Sequence, residues 1–150
     1  MRDRFGAIFR LDFYQKGEIF KILKRTASIL EMNVQDDALT EIAGRSRGTP
    51  RIANRVLKRV RDFAQVKNIK EISLEDARSS LDSIGIDENG LENMDRKILK
   101  NLIVNYNGGP TGGKSLAISI NEDIQTIEDV YEPYLIKDCL LYTSDAADEQ

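Results

Sequence analysis

The stretch Gly48 to Arg61, GTPRIANRVLKRVR, fixes more about the fold than any other part of the chain. Thr49 is a capping residue and Pro50 is pre-set for a first helical turn, so together they launch a helix. Arg51, Arg55 and Arg59 then recur every four residues on one stripe, while Ile52, Val56, Val60 and Phe63 line another. A helix of this kind is anchored by one side and cationic on the other. The plain alternative is a solvated charged face; the sharper one is a helix start suited to phosphate.

Around it the apolar pattern is helical nearly throughout. Ile19, Leu23, Ala27 and Leu30 return at helical spacing between Lys16 and Met32. Asp36 or Asp37 then caps a second helix, which Gly48 can end. Ser73, with Asp76 three residues on, has the form of a capping box and opens a fourth helix reaching about Ile84. Before all of these, Phe9, Leu11 and Phe13 alternate with Ile8, Arg10 and Asp12, the period of a short strand without an obvious partner downstream. Gly85 to Glu92, GIDENGLE, is acidic and lacks helical periodicity, which places a domain boundary there. Beyond it, Ile98, Leu99, Leu102, Ile103 and Tyr106 mark a helix from about Met94, Leu116 to Ile120 a short one, and Ile124, Ile127, Val130, Tyr131 and Leu135 a third despite Pro133.

The 150 residues suffice for one ordinary domain or two small ones. No apolar run approaches the length of a membrane span and the N-terminus lacks a signal-peptide core, so the expected location is cytoplasmic. With Cys139 the only cysteine and no histidine present, an internal disulfide, a Cys/His zinc site and a His-based triad are excluded. The net charge of −3 conceals a split. Residues 1–68 hold 15 Lys or Arg against 8 Asp or Glu, net +7, and residues 69–150 hold 7 against 17, net −10. Two surfaces with different partners follow from that asymmetry.

RDRFG at Arg2 to Gly6, DFY at Asp12 to Tyr14 and RGTPRIANRVLKRVRDFA at Arg47 to Ala64 resemble the RuvB family, the hexameric AAA+ ATPase of Holliday-junction branch migration. MDRK at Met94 to Lys97, GGP at Gly108 to Pro110 and TIEDVYEPYLI at Thr126 to Ile136 continue the match in order, from Arg2 to about Asp138. The resemblance implies a mainly α fold. Residues 1–14 would end the ATPase core with an orphan strand; 15–84 would be a four-helix AAA+ lid, 85–92 a linker, 93–138 a winged helix truncated before its wing, and 139–150 an atypical tail.

It also implies roles for particular residues. Arg4 matches the arginine finger that reaches ATP on the adjacent subunit, Tyr14 a nucleotide-contacting tyrosine, and Arg51 the sensor 2 arginine of the lid. ATP and Mg²⁺ would be the cofactors. Duplex or Holliday-junction DNA, RuvA, RuvC and five further copies in a homohexamer would be the partners. The Walker A lysine, the Walker B acids and the sensor 1 residue belong to an α/β domain preceding Arg2 in the family, so this fragment is expected not to hydrolyse ATP. The alternative from another class is a stand-alone winged-helix regulator or adaptor without enzymatic activity.

Two motifs test these readings. Gly108 to Ser115, GGPTGGKS, matches the P-loop pattern, with Lys114 as the phosphate-reaching lysine. A P-loop must follow a buried strand, and Ile98 to Tyr106 is patterned as an amphipathic helix with Lys97 and Lys100 on its polar side, so the expectation is a turn. The third helix of the winged-helix segment carries Glu122, Asp123, Glu128, Asp129 and Glu132 with no Lys or Arg before Lys137, the wrong sign for reading a major groove. The family's DNA-gripping, arginine-bearing wing has no counterpart in CLLYTSDAADEQ at the end of the chain. Feeble DNA binding is expected of the isolated chain, and its DNA contacts are not assignable from the residues.

Overall fold

The computed structural model describes residues 12–137 and Leu141, the Lys137 side chain excepted. Arg4, most of the expected strand and nearly all of the 139–150 tail lie outside the described residues. Two compact units meet at Ile84 and Gly85. The described residues are mainly helical and contain no sheet.

The first unit is built from α1 (Lys16–Ile29), α2 (Asp36–Gly44), α3 (Pro50–Val66) and α4 (Leu74–Ser83). Ile19 and Leu23 of α1, Leu39 and Ile42 of α2, Val56, Leu57 and Val60 of α3, and Leu81 of α4 are all buried in one core. A single parallel bridge joins Val34 to Ile72. In it the Gln35 N–H donates to the Ile72 carbonyl at 3.0 Å and the Ile72 N–H to that of Asn33 at 2.9 Å. It lies just before α2 and α4 and so sets the starts of those two helices side by side.

Local chemistry explains most boundaries. Ser73 and Asp76 form the expected reciprocal box at the start of α4, each side chain bonding the other's backbone N–H. The N-cap of α2 is Gln35 rather than Asp36 or Asp37, which instead occupy the first turn, where carboxylates complement the helix dipole. α2 stops at Gly44, short of Gly48, because Arg47 and Gly48 both take left-handed backbone conformations, φ 61 and 64°. The buried stripe of α3 is Ala53, Val56, Leu57, Val60 and Ala64; Ile52 and Phe63 sit at its edges, only partly covered.

In the second unit, α5 (Asn93–Tyr106) and α6 (Gly113–Ile120) are followed by α7 (Ile124–Thr126), which runs through a π-helical stretch (Ile127–Tyr131) into α8 (Glu132–Lys137). Ile98, Leu116, Ile120, Ile127, Tyr134 and Leu135 form its core, with Leu91 beneath. The Lys97 ammonium donates to the Ile120 carbonyl at 2.6 Å, placing a cation on the C-terminal end of α6. The π stretch has a cause in the sequence. Pro133 has no N–H for the carbonyl four residues back, Asp129, and its ring crowds that carbonyl, so the helix widens one turn earlier. Wider winding turns each residue through a smaller angle and swings Val130 out of the apolar stripe, leaving it 55% exposed.

Residues 85–92 are pinned within this second unit. Asp87 accepts the N–H groups of Asn89 and Leu91 at 3.0 and 2.8 Å. The Arg96 guanidinium reaches the Asp87 carboxylate at 3.0 Å and the carbonyls of Leu91 and Gly85 at 2.8 and 2.9 Å.

Candidate functional site

α3 begins without the usual neutralising chemistry. Its N-cap, Thr49, makes no side-chain bond to the first-turn amides, its first residue is Pro50, and its first turn holds no acidic side chain. The partial positive charge of the helix start is therefore joined by the Arg51 guanidinium, not cancelled by a carboxylate. Arg51 is exposed and has no hydrogen-bond or ion-pair partner among the described residues. A planar, permanently charged fork left uncommitted at a helix start suits an incoming oxyanion.

Tyr14 arrives at the same corner through the backbone. Its N–H donates to the carbonyl of Gly48 at 2.8 Å, two residues before the first residue of α3. The Tyr14 side chain stays 46% exposed. Two of the three residues singled out from the sequence are thus brought to one end of one helix; the third, Arg4, lies outside the described residues. Arg55 and Arg59 continue the exposed stripe, and Arg61 turns aside to pair with Asp62 at 3.0 Å.

Beneath this corner lies a network that the sequence pattern does not flag. Arg45, at the C-cap of α2, is 4% exposed. Its Nε and Nη2 donate to Glu41 Oε1 at 3.0 and 2.7 Å, and its Nη1 to Asp82 Oδ1 of α4 at 3.3 Å. Arg78 reaches the other Glu41 oxygen at 3.4 Å. Burial opposes ionisation of Glu41, but hydrogen bonds from Arg45 and Arg78 and their charges outweigh it and hold its carboxyl below the ordinary carboxylate range. The next residue, Ser46, is fully buried, its hydroxyl donating to the Ile42 carbonyl. An available sequence signal was the Glu41/Arg45 spacing of four, the spacing of helical ion pairs.

The GGPTGGKS segment has none of the P-loop context. It follows the helix α5, whose C-cap Asn107 is left-handed, and Lys114 lies exposed in the first turn of α6. The acidic third helix keeps its sign on the surface: Glu128 and Asp129 are exposed, and Glu132 is pushed above the ordinary carboxylate range by burial and then by the charge of Glu128. Among the described residues no group of three or more His, Cys, Asp or Glu is placed to hold a metal ion.

Comparison with known proteins matches both units. The family model of the RuvB AAA lid domain matches residues 14–87, and that of the RuvB C-terminal winged helix domain matches residues 88–145. The Holliday junction branch migration complex subunit RuvB of Chlorobaculum parvum is 56% identical over 137 residues, 91% of this chain and 40% of the relative. That of Fusobacterium nucleatum subsp. nucleatum is 47% identical over the same length, 41% of its own chain. Among solved structures, the Thermotoga maritima RuvB Holliday junction branch migration motor superposes with a TM-score of 0.92 at 44% identity, covering 96% of this chain and 48% of that one. The chain spans less than half the length of these relatives. With both of its units matched in order by domains of one protein, the chain belongs to the RuvB family, of which it carries the AAA lid and the C-terminal winged helix.

Proposed function

We propose that this chain is the lid and winged-helix part of an ATP-dependent motor that drives branch migration of Holliday junctions, and that Arg51 is its sensor 2 arginine. The observation that carries this reading is the uncommitted guanidinium at the start of α3, with Tyr14 bonded to the turn beside it. Both fit a nucleotide: Arg51 offers a donor fork to phosphate oxygens, and the exposed Tyr14 ring offers a face or a hydroxyl to the rest of the molecule. ATP supplies the phosphoryl group whose transfer drives the motor. Arg51 orients its terminal phosphates and ties the lid to the nucleotide state, because its hold weakens when the terminal phosphate leaves.

Arg4 acts as the arginine finger toward the nucleotide of the adjacent copy in a homohexamer, where its fixed charge stabilises the transition state. The Mg²⁺ ligands are assigned to the family's ATPase core, since the corner built by this chain is cationic. The winged helix faces duplex DNA without reading the groove through its acidic third helix, and RuvA and RuvC are partners at the junction. No described helix is long and apolar enough to cross a membrane, in keeping with work on cytoplasmic DNA.

The test is Arg51→Lys in the full-length protein. Lysine keeps the charge and loses the bidentate fork, so ATP turnover should fall by about tenfold or more, a loss of roughly 1.4 kcal/mol of transition-state stabilisation. Unchanged turnover would remove Arg51 from the nucleotide site.

A further inference from the structure

We infer that Arg45 is a positioning residue for the nucleotide corner, acting through Arg51; this rests on the sensor 2 reading above. Four residues, Ser46 to Thr49, separate Arg45 from the first residue of α3, and the turn they make is constrained along its length. Ser46 is buried and bonded back to Ile42, Arg47 and Gly48 are held in left-handed conformations, and the Thr49 N–H donates to the Ser46 carbonyl at 3.1 Å. Such a turn has little slack. The position of Arg51 therefore follows the position of the α2 C-terminus.

The Arg45 guanidinium determines that position. It bonds Glu41 on its own helix through two nitrogens and Asp82 on α4 through a third, all from a side chain with 4% exposure. An arginine buried this far needs its partners to stay in place, since a displaced guanidinium would be left charged in a poorly solvated site. The same turn accepts the Tyr14 N–H at Gly48, so one clamp holds both nucleotide-facing residues in register with the α2/α4 frame. Arg78 is an internal control. It shares the Glu41 carboxylate at 3.4 Å but is 55% exposed and, among the described residues, bonds neither Arg45 nor the turn.

The experiment is a double-mutant cycle in the full-length protein, following ATP hydrolysis and thermal unfolding. Arg45→Lys, which cannot make the forked contact, should raise the apparent KM for ATP about tenfold, below the ~100-fold that a full ångström of misplacement costs. Arg78→Ala should lower the melting temperature and leave KM within about twofold, since it touches no part of the turn. The pair Arg45→Lys with Arg51→Lys should be no worse than Arg51→Lys alone, because a residue that acts only through another contributes nothing once that other is altered. Should Arg45→Lys not fold, Asp82→Asn removes one contact from the surface side and is expected to shift KM in the same direction, again only when Arg51 is intact. Additive effects, or an unchanged KM in both Arg45→Lys and Asp82→Asn, overturn the inference and leave the sensor 2 reading standing. Unchanged kinetics in Arg51→Lys itself overturn both.

Discussion

Glu41 shows how much can hang on one carboxylate. Its depressed pKa means that the ionised form is favoured more in the folded chain than in the unfolded one. That contribution is fully present above the ordinary carboxylate range and is lost as pH falls through the lowered value. Glu41→Gln should therefore destabilise the first unit at neutral pH by about 2 kcal/mol, less than the ~3–5 kcal/mol of a fully buried pair because Asp82 still serves Arg45. The gap to the parent should close on acidification. Urea midpoints between neutral pH and the acid limb would measure it, and a gap independent of pH would show that Glu41 is not the titrating group.

Among elements, the π stretch gives the clearest expectation. If Pro133 causes it, Pro133→Ala should let the carbonyl of Asp129 regain a helical donor, draw Val130 toward the core and stabilise the second unit by about 1–3 kcal/mol. Backbone amide shifts from Ile127 to Glu132 would report the change, and an unaltered pattern would place the cause in the packing of Ile127, Tyr134 and Leu135. Helix starts were the legible part of this molecule. Ser73 with Asp76 carries its capping box in adjacent residues, and Thr49 with Pro50 marks where α3 begins, although the Thr49 side chain makes no cap bond. At α2 the cap falls one residue earlier than expected, on Gln35. The α2 terminus was not legible, because it is decided by consecutive left-handed residues and by a buried arginine whose partner stands 37 positions along the chain. An arginine in a sequence reads as surface until its counter-charges are located in space. Arg51 and Tyr14 stood out through resemblance, but the hydrogen bond that brings Tyr14 to the same corner is long-range and has no local signature.

For the molecule as a whole, the two units have separate cores, and what each contributes is measurable by itself. Arg96 holds the 85–92 segment inside the second, so Arg96→Ala should speed amide exchange at Asn89 and Leu91 and lower the stability of that unit by about 1–3 kcal/mol, while protection in the buried core of α3 is unchanged. Loss of protection in both units together would mean that they unfold as one. The same guanidinium has a mechanical consequence. It grips the carbonyl of Gly85, whose neighbour Ile84 already closes α4 through an N–H bond to Ser80. Held at that carbonyl, the 85–92 segment sets out from a fixed point and not a drifting one, so the residues that lead into α5 begin already aimed.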